Sequence, residues 1–433
     1  MKDIPDRFPA RLMDGYSDHQ SQLSETMIQL EMEFAESLDA KRLAKAIDLT
    51  LDAEPVLGCR FVDNTYKPYF ERLDVNKRPA FFPANSQDEY EKFKSNSIDH
   101  RTGPQINVCL WQSTDGDRLL LKVAHQVADA AGVKDIAAIL SGIYRQLSDA
   151  PDYLPSPNIR EQRSLREVMK HVPLRAYPRI FWTSLRSTLT DYLPPPIHAL
   201  YTSNGPREPL TYVSCLIPSD RVSKLVQYGH SHEATINDVI MTAAFRALAD
   251  TGNRKKGSHI TMSTTIDLRR YIPSGRAPAV ANLSYLLIFW PNIGAEPLQG
   301  FDATLEKVAN ITRYGKAHFF GLDLVFNILN PICKTMHYAV GKNIYRSFFE
   351  LLLKRKKSTH WFSNTGPIDI ESVTFGIPPS RAHIMPPVIY PPAPFMFSLS
   401  GYNGTLTLAA GTYPTQKETI EKFFNAILKE LPI

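Results

Sequence analysis

The sequence predicts a mixed α/β protein assembled from two halves. Three observations lead there. The 433 residues exceed what one ordinary hydrophobic core holds. Strand-like alternation gives way to helix-period spacing over 26–52, and the same succession restarts over 210–228. Between them lie a proline-rich break at 149–157 and the run Pro194-Pro195-Pro196, which no helix or inner strand could absorb.

Composition narrows the class. Apolar residues at 43% and charged ones at 21% describe a folded globular chain rather than a disordered one. A net charge of +5 is too mild to suggest nucleic acid, and neither zinc-ligand spacing nor an RNA-binding signature is present. It suits acidic partners. Cys59, Cys109, Cys215 and Cys333 are far apart in apolar contexts and read as buried free thiols of a reducing compartment. The charged N-terminus has no apolar run behind it, so no signal peptide is expected and the predicted location is cytoplasmic. No window of ~18 uninterrupted apolar residues predicts a spanning helix.

Taken in order, residues 1–24 are polar and are expected to wrap onto the first half. Thr26–Glu36 alternates and predicts a strand; Asp39 caps a helix to Asp52. Short strand pieces follow at Tyr66–Phe70 and Phe81-Phe82. Asn107–Gln112 and Arg118–Ala124 form a hairpin about Thr114-Asp115-Gly116-Asp117. The second hairpin strand ends at Ala124, and His125 follows at once, with Asp129 four residues on. Val133, Ile136, Ala137, Leu140, Ile143, Tyr144 and Leu147 then mark a helix.

His125 thus sits at a strand-to-helix turn, where packed elements on both sides can fix a side chain at a cleft. An imidazole with a pKa near ~6.5 can take a proton from a hydroxyl, amine or thiol at neutral pH. Asp129 is too close along the chain, and aimed wrongly, for a proton relay; pairing with an arginine would pin the turn. The same string also suits an ordinary satisfied turn histidine.

Arg160–Leu189 is basic and amphipathic, interrupted by Pro173 and Pro178. It reads as a solvated face, or as a docking surface for a carrier domain or membrane. Leu210–Leu216 is a strand, and Ser219 caps a helix through Tyr228. Thr235 caps the next helix, with Asn237 and Asp238 near its start, as plain capping residues or as ligands for substrate. Strands are expected at Ile260–Ile266 and Asn282–Trp290. Residues 301–357 read as mostly helical with a basic, apolar end. Trp361–Gly366 is a strand end, Pro378–Pro394 a proline-rich loop, and Phe395–Ser400 and Leu406–Ala410 the closing strands. Lys417–Leu431 is an amphipathic helix.

Five motifs carry a family likeness. They are Arg60-Phe61, His125-x-x-x-Asp129, Asn237-Asp238, Asp267-Leu268-Arg269-Arg270 and Ser363-Asn364-x-Gly366. In that order, over nearly the whole chain, they resemble the condensation-domain and chloramphenicol-acetyltransferase-like acyltransferases, with their wax-ester synthase and polyketide-associated relatives. Two positions depart from the pattern: Ala124 stands where the family has a first histidine, and Ala130-Ala131-Gly132 where it has an immediate glycine.

The resemblance implies two acyltransferase-like subdomains, 1–189 and 209–433, joined by a linker at 190–208 and packed in a V about a central tunnel. It implies His125 as catalytic base and Asn364 at the oxyanion. It implies a structural Arg60–Asp129 salt bridge. Substrate contacts would come from Asn237, Asp238, Asn282, Ser284, Ser363 and Gly366. No metal or bound cofactor is implied; acyl-CoA or an acyl-carrier thioester is the co-substrate, and the carrier protein, a small-molecule or lipid acceptor and a membrane surface are the candidate partners. The leading expectation is transfer of an acyl group to a hydroxyl. The alternatives are a free-standing condensation domain that forms an amide and a catalytically silent member that binds a ligand or partner.

Overall fold

The computed structural model describes residues 4–22, 24–160, 163–182, 209–251, 260–293, 300–319, 321–322, 337–354, 360–389 and 396–433. The expected linker at 190–208 lies outside them, as do Cys333, the end of the basic stretch and the last residues of the proline-rich loop.

The N-terminal half opens with β1 (Arg7–Pro9), α1 (Leu12–Gln20), β2 (Ser24–Glu25) and β3 (Met27–Phe34). Next is α2 (Ala40–Ala53), capped by Asp39, whose carboxylate accepts from the backbone N–H of Lys41 and Arg42 at 3.0 Å each. A single 3-10 turn, Pro55–Gly58, enters β4 (Cys59–Val62), followed by β5 (Tyr69–Arg72), β6 (Phe81–Ala84) and α3 (Gln87–Ser95). The hairpin is β7 (Ile106–Ser113) and β8 (Gly116–Ala124). Gly116 sits at φ +118°, and a Cβ there would lie 2.1 Å from the Phe34 carbonyl oxygen, so the turn admits no side chain. α4 (Ala130–Asp149) closes the half and buries Val133, Ile136, Ala137, Leu140, Ile143, Tyr144 and Leu147, the stripe its sequence predicts.

Beyond a helical turn at Arg166–Met169, the second half restarts with β9 (Thr211–Ile217), α5 (Ser219–Ser231) and α6 (Ile236–Thr251). Ser219 is the first residue of α5 rather than its cap; Pro218 occupies the cap position. β10 (Ile260–Asp267), a 3-10 turn at Leu268–Tyr271, β11 (Ser284–Ile293), α7 (Phe301–Ala317) and α8 (Tyr338–Lys354) follow. β12 (His360–Pro367), β13 (Arg381–Met385), β14 (Val388–Ile389), β15 (Met396–Tyr402), β16 (Thr405–Thr412) and α9 (Lys417–Glu430) complete the chain.

Two sheets organise these elements. One runs β11-β10-β12-β15-β16-β9 and belongs to the second half. The other runs β13-β3-β8-β7-β6, so its outer strand comes from the second half. β13 corrects the expectation of a loop over Pro378–Pro394. The prolines bracket the strand at 378–379 and 386–387 without entering it, so residues 381–385 are free to pair antiparallel to β3, Arg381 against Glu33 through Met385 against Gln29. The far edge of β13 is not bare. The Ser398 hydroxyl donates to the Ile384 carbonyl at 2.8 Å, and the Ser400 hydroxyl accepts from the Ile384 N–H at 3.2 Å. Two serines of β15 therefore bond both backbone groups of a residue in a strand of the other sheet.

Each half has its own core. The first packs β3, β7 and β8 against α2 and α4, with Leu30, Leu43, Ile47, Leu121, Ile136 and Leu140 fully buried. The second packs α6 and α9 on the six-stranded sheet around Phe245, Phe362, Phe397, Phe423 and Phe424. A third cluster joins Met13 of α1 to Leu165, Val168 and Val172 and to Leu268 and Leu283 of the second half.

Candidate active site

His125 leaves β8 at the point where the strand stops pairing. Its N–H donates to the Thr26 carbonyl at 2.8 Å, the last bond alongside β3. The chain then turns, Val127 N–H to the Ala124 carbonyl at 3.0 Å, and enters α4. The imidazole is half-buried. Its Nδ1 lies 2.9 Å from the Ala128 carbonyl oxygen. A carbonyl can only accept, so this contact assigns the ring proton to Nδ1 and leaves the Nε2 lone pair bare. Asn282 braces the same ring. Its Nδ2 lies 3.2 Å from Nδ1, but its two hydrogens are taken at 2.9 Å by the His125 carbonyl and by Ser17 Oγ of α1. Burial holds the His125 pKa below its usual 6.5, an effect that Asp129 opposes only in part. The ring is therefore neutral at pH 7.

Asp129 is buried and bonded on both oxygens. Oδ1 caps α4 by accepting from the Gly132 N–H at 2.9 Å. Oδ2 accepts from Arg269 at 2.8 Å, from the Leu283 N–H at 2.7 Å and from Ser284 Oγ at 3.0 Å. Burial alone would raise this carboxyl's pKa, but Arg269 and the backbone donors outweigh it and hold the group ionised.

The predicted Arg60–Asp129 bridge is not formed. Arg60 lies across from Glu71 on the β4–β5 ladder and binds that carboxylate at 2.6 Å on the exposed face. The reason is strand parity: Cys59 and Phe61 are buried, so Arg60 between them points out. The arginine of Asp129 is Arg269, from the Asp267–Arg270 motif. It reaches Asp129 and Asp267 through one nitrogen and the Ala281 carbonyl through another at 2.8 Å.

A second buried arginine works in parallel. Arg163 donates to the Val127 carbonyl at 2.9 Å and the Val280 carbonyl at 2.8 Å, and pairs with Asp14 of α1 at 3.2 Å. In the sequence Arg163 is one charge of the basic amphipathic stretch, with no local mark of this role. The turn 125–129 is thus tied to residues 280–284 of the other half by Arg163 on one side and Arg269 on the other. Gly132 lets the two segments touch, since a Cβ there would meet Ala128 Cβ at 2.8 Å and the Ala281 oxygen at 2.9 Å. The glycine that the sequence carries two places late is the one the close approach requires.

The remaining predicted residues fall into two groups. Asn364 and Asn237 are brought together: Asn364 Nδ2 donates to Asn237 Oδ1 at 3.0 Å, and Asn364 Oδ1 accepts from the Gly366 N–H at 2.9 Å. Gly366 turns at φ +73°, a conformation that favours glycine. One N–H of the Asn364 amide is left over. Ser363 Oγ is bonded to Thr265 Oγ1 at 2.7 Å across β10 and β12. Asp238 is a buried cap. One oxygen accepts from Thr235 N and Oγ1, and the other accepts from Thr312 Oγ1 of α7 at 2.8 Å. Asn282, Ser284 and Asp238 have their hydrogen bonds committed within the protein.

Lys134 links the two groups. From the second turn of α4 its ammonium donates to the Thr365 carbonyl at 2.7 Å and the Pro367 carbonyl at 3.1 Å. Arg145 and Ser141, further along α4, hold the carbonyls of Glu371, Thr374 and Ser372. The helix behind His125 is in this way bound to the strand end that carries Asn364. The buried Cys59 thiol is no rival nucleophile, since burial pushes its pKa up to about 12.

No family model and no curated protein matches the sequence. The structure, in contrast, matches known folds along almost its whole length. Polyketide synthase associated protein 5 from Mycobacterium tuberculosis superposes with a TM-score of 0.66 at 14% identity, over 97% of this chain and 98% of that one. The first condensation domain of the calcium-dependent antibiotic synthetase, in complex with a substrate analogue, gives 0.68 at 16% identity over 98% and 96%. The EpoB cyclization-docking bidomain from Sorangium cellulosum gives 0.65 at 13% identity over 98% and 85%. The chain therefore has the condensation-domain, chloramphenicol-acetyltransferase-like fold that its motifs resemble.

Proposed function

We propose that the protein is an acyltransferase that moves an acyl group from a CoA or carrier-protein thioester to a hydroxyl acceptor, with His125 as general base. The observation that carries this is the tautomer of His125: Nδ1 is committed to the Ala128 carbonyl, so Nε2 is the basic nitrogen. In the proposed step Nε2 takes the proton of the acceptor hydroxyl as its oxygen attacks the thioester carbonyl. The free N–H of Asn364 is suited to donate to the oxyanion, a contact worth roughly 3 kcal/mol where measured in other enzymes. Collapse breaks the C–S bond, and the thiolate leaves with the proton from His125. Asn237, Ser363 and Gly366 would then line the acceptor side. Asn282, Ser284 and Asp129 would hold the base.

A second reading has its own support. Some structural neighbours come from nonribosomal peptide synthetases, which favours an amine acceptor and a carrier-bound donor. One assay separates the two. The protein is incubated with acyl-CoA or acylated carrier and with alcohols or amines, and free thiol is followed. Thiol release with CoA substrates and alcohols supports ester formation, and activity only with loaded carrier and amines supports the amide. Undiminished turnover in His125→Ala would overturn both.

A further inference from the structure

The segment that follows Arg163 carries apolar residues on two opposite sides. Val168, Val172, Ala176 and Ile180 are buried against Leu268, Ile272 and Leu322. They lie along the turn Arg166–Met169, the 3-10 turn Leu174–Ala176 and the helical residues after it, and together form the inward side of a segment broken at Pro173. Leu174, Tyr177 and Phe181, at i, i+3 and i+7, form another stripe that faces solvent, with Trp182 beside it. Leu174 is 85% exposed and Trp182 67%. Core packing explains the first stripe and leaves the second without a partner among the described residues.

Charge says what would cover it. From Val168 to Trp182 there is no Asp or Glu, whereas Lys170, Arg175 and Arg179 are all present. Lys170 is paired with Glu167. Arg179 donates to His318 Nε2, a ring nitrogen and not a carboxylate. The exposed stripe is thus a leucine and three aromatic side chains, two of which have a polar tip, flanked by Arg175 and Arg179, which have no carboxylate partner among the described residues. That composition matches the boundary between lipid headgroups and acyl chains, where Trp and Tyr settle and cations meet anionic phosphates. We propose that Leu174–Trp182 is a membrane-contact element that seats the protein on anionic bilayers.

Vesicle co-sedimentation tests this without reference to acyl transfer, so its failure and that of the enzymatic reading are separable. The probe is phosphatidylcholine vesicles with and without about 30% phosphatidylglycerol. The full chain is expected to bind the anionic vesicles, and to do so less as salt is raised. Leu174→Ser/Phe181→Ser/Trp182→Ser should weaken binding about tenfold or more, while Arg175→Glu/Arg179→Glu should remove the preference for anionic lipid. Both variants alter exposed side chains, and an unchanged thermal midpoint confirms that they are folded. A blue shift of tryptophan emission on vesicles, absent in Trp182→Phe, places that side chain in the bilayer. The proposal is overturned if the wild type ignores anionic vesicles or if the triple variant binds as well as wild type. Capture of an acidic carrier protein through the same residues, without vesicle binding, would also overturn it and assign the stripe to a protein partner.

Discussion

Burial around His125 disfavours the imidazolium, and the Asp129 carboxylate only partly offsets that. A base that loses its lone pair when protonated fails on the acid side of its pKa, and this pKa lies below 6.5. Acyl transfer measured as kcat/KM should therefore fall toward acid along a single limb centred below 6.5. A limb centred above 6.5 would contradict the structure. His125→Ala should reduce kcat/KM by ~10²–10⁴, the range of a positioned general base. The two arginines divide just as sharply. Breaking the buried Asp129–Arg269 pair by Arg269→Leu should cost ~3–5 kcal/mol in urea unfolding. Arg60→Ala, which removes an exposed bridge to Glu71, should cost under about 1 kcal/mol. The sequence held both arginines and could not choose between them by motif, because Asp129 and Arg269 are far apart along the chain. It did hold one unused clue: Arg60 stands between two inward-facing residues of a strand, so its side chain had to point away from the core.

At the scale of elements, helix period and strand alternation located β3, α2, the β7–β8 hairpin, α4 and α9, since each buries one regular face. α1, β1 and α3 escaped because their sequences are polar. α1 is rich in buried Asp and Ser that bond to partners from distant segments, Asp14 to Arg163 and Ser17 to Asn282, and no local pattern reports such pairing. β13 escaped because its prolines suggested a loop. Its junction with β3 carries a titration signature. Glu31 faces His383 across the ladder and is bonded by Tyr90 and Lys94. Burial would raise the Glu31 pKa, but Lys94 and His383 bring it down to about 2, while burial lowers His383 to about 4. A depressed carboxyl stabilises the fold above its unfolded value of 4.5 and loses that as pH falls toward 2. A depressed histidine costs stability as pH falls from 6.5 toward 4, because only the unfolded chain takes the proton. The two effects add, so the contribution of this junction to stability declines progressively from pH 6.5 downward. Glu31→Gln should remove the part of that decline below pH 4.5. Lys134 acts on a different joint. Lys134→Met deletes charged hydrogen bonds worth ~1.5–3 kcal/mol in total stability and frees the strand end beside Asn364. Steady-state kinetics should then show kcat falling while KM for the thioester changes little.

Over the whole molecule, likeness of motifs in sequence order foretold the fold, yet not the exchange that fastens its halves. Residues 381–385 complete a sheet whose other strands all precede residue 125, and Ser398 and Ser400 continue the connection into the second sheet. Thermal unfolding followed by far- and near-ultraviolet circular dichroism should accordingly give one coincident transition rather than two. A chain shortened to residues 1–189 should lack native near-ultraviolet signal, and supplying 209–433 as a second chain should restore it.

β13 also sets a timetable for synthesis. The ribosome must pass residue 385 before the first sheet can receive its last strand, so for most of translation the outer side of Met27–Phe34 is an open ladder of amides. At ~5–20 residues per second that interval lasts many seconds. Until then β3 presents the kind of unpaired edge on which another chain can add a strand.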